Sequence, residues 1–179
     1  PELKPVDKSK VFVVHGRNRK NRDGMFNFLR TIGLKPIEWS QALNLTKIAD
    51  PFIGEILEKV FQSAQAVVIL LTPDDLAHLK QKYVQTNDLP HEKIPTGQAR
   101  PNVLFEAGMA FGSHPERTIL VEIGSCRPFS DIAGRYVIRW DNTSGRRRDL
   151  ADALKRAGCE VNLDGKDWHT AGEFDIESD

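Results

Sequence analysis

Apolar positions alternate along the chain between short continuous runs and stripes at helical spacing. Val11-Phe-Val-Val14 is a β-branched run that stops at His15-Gly16-Arg17 and predicts a first strand. Met25, Phe28, Leu29 and Ile32 then mark one helix face, with Gly33 as its C-cap. Lys35 to Trp39 predicts a second strand and Ser40 to Asp50 a polar loop. Asp50 is a candidate N-cap with Pro51 behind it, and Ile53, Ile56, Leu57, Val60 and Phe61 share one face of a second helix. Ala66 to Leu71 is apolar without alternation, the mark of a strand covered on both faces in a parallel sheet. Thr72-Pro73-Asp74-Asp75 ends it and is expected to cap a short helical piece. Residues 80–100 show no period and carry Pro90, Pro95 and Gly97, which predicts a long loop. Pro101 to Gly112 reads as a third helix, Thr118 to Ile123 as a fourth strand, Tyr136 to Trp140 as a fifth, and Asp149 to Ala157 as a final amphipathic helix.

Five strands alternating with helices predict an α/β fold, a doubly wound parallel sheet in the flavodoxin-like order 2-1-3-4-5 with helices on both faces. In such a sheet the ligand crevice opens at the carboxyl ends of the strands where strands one and three diverge. The segments expected there are His15-Gly16-Arg17 and Thr72-Pro73-Asp74. Residues 1–9 begin at Pro1 and set two prolines among charges, the composition of a linker, as in a domain cut from a longer protein. The domain is expected over 10–160. The acidic tail, 161–179, is expected to pack back on it through Trp168 and Phe174.

Composition narrows the function. Lys and Arg number 25 and Asp and Glu 25, so no basic excess favours nucleic acid or an anionic membrane. The longest apolar run, Ala66–Leu71, is too short to span a bilayer, and no signal peptide is seen. Cys126 and Cys159 fit neither a metal spacing nor a disulfide framework, which points to the cytoplasm and to cysteines that only pack. Arg146-Arg147-Arg148 reads as a solvated helix start.

The third helix is apolar around nearly its whole circumference, which predicts that it is buried. Glu106 is its one charged residue. A buried carboxylate must be paired, protonated or facing a cleft. The alternatives are a structural ion pair with Arg100 or Arg135, or a catalytic group. Gly108 and Gly112 are expected to let a backbone or a ligand come close. His15-Gly16-Arg17 offers backbone N–H groups and an Arg for a phosphate, although the segment is neither a Walker loop nor a GxGxxG turn. Trp39, followed by Ser40, offers a ring for a base to stack on.

Taken in order, Val11-Phe-Val-Val-His-Gly-Arg17, Ile37-Glu-Trp-Ser40, Ala66 to Asp74, Arg100-Pro-Asn-Val-Leu-Phe-Glu-Ala-Gly108 and Arg127-Pro-Phe-Ser-Asp-Ile-Ala-Gly134 resemble the bacterial TIR-like nucleotide-binding domains. These include the TIR parts of TIR–STING and Pycsar antiphage effectors. The resemblance implies cleavage of NAD+ at the nicotinamide–ribose bond, with NAD+ as substrate and no cofactor or metal. It implies homo-oligomers formed through TIR–TIR contacts, and an attached or partner sensor of a cyclic nucleotide. It places the catalytic glutamate at Glu106 and puts His15, Gly16 and Arg17 at the substrate. Many such enzymes carry a Trp one turn before the glutamate. Here that position is Asn102, with Trp39 or Phe105 as candidate replacements. The candidate substrate-binding set is therefore His15, Gly16, Arg17, Trp39, Ser40, Thr72, Asp74 and Asn102. Two other readings stand beside it, a non-catalytic TIR assembly module and a nucleoside deoxyribosyltransferase-like enzyme.

Overall fold

A computed structural model describes residues 6–132 and 134–176. Most of the expected linker 1–9 and the last residues of the tail lie outside them. Five parallel strands form the main sheet: β1 (Lys10–Val14), β2 (Lys35–Ile37), β3 (Ala66–Leu71), β6 (Thr118–Ile123) and β7 (Val137–Trp140). Their order is β2-β1-β3-β6-β7, which is the flavodoxin-like order counted along this sheet. A separate two-stranded ribbon pairs β4 (Asp75–Ala77) antiparallel with β5 (Thr96–Gln98).

Side-chain parity on the central strands divides the core in two. Val11 and Val13 of β1, with Val68 and Leu70 of β3, face α1 (Arg19–Thr31) and α6 (Ser144–Arg156). Phe12, Val14, Val67, Ile69 and Leu71 face α3 (Ile53–Ser63) and α5 (Pro101–Ser113). All six residues of β3 are buried, as a strand between two helical layers must be. Gly33 lies at φ +84° and closes α1, with its N–H on Arg30 O and the next N–H on Leu29 O.

Several boundaries depart from the sequence reading. The expected polar loop after β2 is instead α2 (Trp39–Thr46). Gln41 folds its side-chain oxygen back onto the Glu38 N–H at 3.1 Å, and Lys47 ends the helix in the left-handed region. Only Ala42 of α2 is buried, and its apolar positions Trp39 and Leu43 stay exposed, so the short Trp39–Ala42–Leu43 stripe is easily passed over. Trp39 therefore opens a helix rather than closing a strand. The expected helical piece after Asp74 is the strand β4, and the expected loop 80–100 contains both the short helix α4 (Pro90–Lys93) and β5. Asp75–Ala77 and Thr96–Gln98 pair with each other across about twenty residues, and neither carries an apolar alternation of its own.

The last helix starts five residues earlier than expected, with Thr143 capping Arg146 N at 3.3 Å. Arg147 is not solvated: it is 2 % exposed. Its guanidinium donates to the carbonyls of Ala171 (2.9 Å), Gly172 (3.2 Å), Thr143 (3.3 Å) and Asn142, and lies within 6 Å of the rings of Trp140 and Phe174. Trp168 and Phe174 are buried in the α1–α6 core, and Asn21 exchanges two hydrogen bonds with the backbone of Asp175 (2.7 and 3.1 Å). No helix among the described residues is long and apolar enough to cross a membrane.

Candidate active site

α5 presents two unlike faces. Val103, Ala107 and Ala110 are buried against the sheet. Asn102, Phe105, Glu106 and Met109, at i, i+3, i+4 and i+7, line a cavity of about 540 Å³. The rest of the wall comes from Phe12, Val13, Val14 and His15 of β1 and its loop, Phe26 of α1, Ile37, Trp39, and Ile53 and Gly54 at the start of α3. The helix is thus apolar all round because it fills two needs, and the expectation of full burial is overturned: Phe105 is 65 % exposed. Gly108 and Gly112 look into open space, with nothing among the described residues beyond their own stretch of helix within 4 Å of where a Cβ would stand.

Glu106 makes no hydrogen bond and no ion pair among the described residues. The two cations considered for it are engaged elsewhere. Arg100 lies 3.5 Å from Asp75, and the Arg135 guanidinium sits 3.9 Å from the centroid of the Phe111 ring. Burial without a counter-charge pushes the Glu106 carboxyl up to about 7. His15 is shifted the other way, its pKa lowered mainly by burial. Its Nδ1 is 2.9 Å from the Gly16 carbonyl, and its ring meets Phe26 edge-on. A carbonyl can only accept, so Nδ1 carries the hydrogen and Nε2 is left as an acceptor.

The structure divides the sequence-derived set. His15, Trp39, Asn102 and Glu106 share the cavity. Arg17 and Asp74 do not: they line a smaller recess with Asn18, Asn21 and Gly124. The backbone N–H groups expected to cradle a phosphate are filled from within, because the Asp74 carboxylate accepts from Arg17 N and from Asn18 N (3.4 Å). Thr72 is buried beneath this loop, and Ser40 is exposed on α2 away from the wall. Gly16 leaves room for Asp74 rather than for a ligand, since a Cβ there would overlap that carboxylate.

Met109, Phe26, Ile53 and Gly54 were not legible as site residues. Met109 had a signal, its place one turn beyond Glu106 on the same face. The others reach the cavity only through tertiary packing. No Lys or Arg among the described residues lines this cavity. Both thiols are pushed up to about 12 by burial, which leaves them protonated and poor nucleophiles. No group of three or more His, Cys, Asp or Glu among the described residues is placed to hold a metal ion.

A family model described as "CAP12/Pycsar effector protein, TIR domain" matches residues 10–142. The chain is 29 % identical over 164 residues to a protein of Escherichia coli K12 named "Uncharacterized protein YuaY", covering 90 % of this chain and 50 % of that one. It is 27 % identical over 114 residues to "Protein tirC" of Dictyostelium discoideum, covering 64 % and 52 %. The chain spans about half the length of these curated relatives.

Proposed function

Because the chain belongs to the TIR-domain family of CAP12/Pycsar effectors, we propose that the Glu106 cavity binds NAD+ and cleaves its nicotinamide–ribose bond. The observation that carries this reading is the Glu106 carboxyl, unpaired among the described residues, in an apolar cavity whose described wall bears no Lys or Arg. A site of that charge favours the cationic nicotinamide-ribose end of NAD+ and leaves the phosphates at the mouth. When the bond from C1′ to the ring nitrogen breaks, the electron pair goes to nitrogen and nicotinamide departs neutral. No general acid is needed, unlike a glycosidase, whose leaving oxygen must be protonated. Ionised Glu106 stabilises the positive charge that develops on the ribose, and water then adds at C1′ and loses a proton. Trp39, 41 % exposed and on the cavity wall, takes the stacking role that Asn102 cannot. Nε2 of His15 accepts from a ribose hydroxyl.

The other readings fit less well. A purely structural assembly module has no use for a half-buried carboxyl that is unpaired among the described residues. A deoxyribosyltransferase-like enzyme expels a neutral base, which calls for a proton donor at the leaving nitrogen as well as a carboxylate for the sugar, and Glu106 is the one carboxyl among the described residues lining the cavity. Assembly itself belongs to the proposal. Leu43, Ile48, Phe52 and Ile53 are exposed around α2 and the start of α3, an apolar rim that a second copy would cover. An attached or partner sensor of a cyclic nucleotide would drive that assembly in the cytoplasm, and the product would be linear or cyclic ADP-ribose. The test is release of nicotinamide from NAD+ against release of base from deoxynucleosides, measured from dilute to concentrated protein. Base release without nicotinamide release would overturn the NAD+ assignment.

A further inference from the structure

The turn after β3 is built to hold one carboxylate in place. Thr72 is buried, the Asp74 N–H donates to Thr72 O at 2.8 Å, and Pro73 lies so close under β5 that a Cβ on Gly97 would stand 2.6 Å from it. From this turn the Asp74 side chain crosses to the loop after β1 and accepts from the N–H groups of Arg17 and Asn18. It makes no ion pair among the described residues. Asn18 is the N-cap of α1, so the carboxylate also meets the positive end of that helix.

The peptide unit that carries the Arg17 N–H also carries the Gly16 C=O, and that carbonyl is the acceptor for His15 Nδ1 at 2.9 Å. A trans peptide is planar, with its N–H and C=O pointing in opposite directions. Fixing one end fixes the other, and hydrogen bonds in series polarise one another. Gly16 supports this reading independently. Its φ is not in the left-handed region, so no backbone strain calls for glycine there. What calls for it is contact, because any Cβ would overlap the Asp74 carboxylate.

We propose that Asp74 is a positioning residue of the Glu106 cavity: through the Gly16–Arg17 peptide it holds the His15 imidazole in its Nδ1–H form and so keeps a lone pair on Nε2 at the cavity wall. The ligand group that meets this lone pair is a hydrogen-bond donor. Its identity as a ribose hydroxyl rests on the NAD+ reading, whereas the Asp74–peptide–His15 relay does not.

The experiment reads His15 directly. Long-range ¹H–¹⁵N spectra of the whole chain report which ring nitrogen carries the hydrogen, and turnover of NAD+ is followed on the same samples. The parent should show Nδ1 protonated. Asp74→Ala should let His15 drift toward the Nε2–H form and lower kcat/KM, and added formate should restore both by refilling the vacated N–H groups. Gly16→Ala should displace the carboxylate, reproduce the loss and resist formate, because the site stays obstructed. The pair Gly16→Ala/Asp74→Ala should be no worse than Asp74→Ala alone, since both remove one contact. If Asp74→Ala does not fold, Gly16→Ala carries the comparison, and an unchanged His15 spectrum in that variant overturns the relay. A folded Asp74→Ala variant with an unchanged His15 spectrum overturns the relay. A His15 spectrum that shifts as described, in a protein that releases no nicotinamide in any form, sustains the relay and removes the NAD+ reading.

Discussion

Glu106 on α5 and His15 at the end of β1 face one cavity, and one cause moves them in opposite directions. Burial disfavours charge on each, so the carboxyl rises to about 7 and the imidazole falls. Near neutral pH the cavity therefore holds a neutral imidazole beside a carboxyl poised between its two forms.

The first prediction concerns pH. The ionised carboxylate is the form that stabilises a ribosyl cation, and kcat/KM reports the free enzyme. It should rise through an apparent pKa near 7 and level off above it. Burial lowers the His15 pKa, so its neutral form is the one present over the upper part of this rise. A profile flat from pH 6 to 8 would remove Glu106 from the rate equation.

Replacing Glu106 by Gln separates catalysis from stability. Losing the counter-charge in a water-poor site should cost roughly 3–4 kcal/mol of barrier, about 100- to 1000-fold in rate, by analogy with one lost oxyanion donor. Stability should move the other way. A carboxyl raised from its ordinary 4.5 to about 7 costs the folded state nothing below pH 4.5, where both states are protonated. The parent then loses stability as pH rises from 4.5 to 7 and keeps that deficit above. Glu106→Gln should be the more stable protein at pH 8, on the order of 2 kcal/mol after allowing for solvent screening, and equal to the parent at pH 4. Urea melts at both pH values test this, and a variant less stable than the parent at pH 8 would point to an ion pair instead.

Trp39 and Arg17 should behave differently. Trp39 lines the cavity and Arg17 does not. Removing a stacking ring costs about 1–3 kcal/mol per base, so Trp39→Ala should raise KM at least several-fold while Trp39→Phe recovers most of it. Arg17→Ala should leave KM unchanged, because the Asp74 contact uses the backbone of Arg17. An increase in KM for Arg17→Ala would bring the pyrophosphate back to the β1 loop.

Arg147 should prove the costliest surface-like arginine in the chain. It is buried and its donors satisfy carbonyls of the tail and of the turn before α6. Arg147→Ala should cost about 3–5 kcal/mol by leaving those carbonyls unpaired. Arg147→Lys should recover little, since an ammonium cannot reproduce the guanidinium fork. Chemical denaturation at pH 7 measures both, and a loss under 1 kcal/mol would show the tail to be held by Trp168 and Phe174 alone.

The sequence by itself determined the sheet and the carboxylate. Ala66–Leu71 could only be a strand covered on both sides, and Glu106 in an apolar helix could not be indifferent to its surroundings, because desolvation is decided by residue type and periodicity. What decided the remainder was the meeting of segments distant in the chain. α2 buries only Ala42, so its eight residues gave little sign of a packed face. β4 and β5 exist only through each other. Arg147, read as one of three solvated arginines, is buried because the tail returns over it with its carbonyls. His15-Gly16-Arg17 was legible as a loop rich in N–H donors, but which anion fills it was not. Asp74 reaches those donors across the carboxyl ends of β1 and β3, and a contact of that kind leaves no trace in the spacing of residues along either strand.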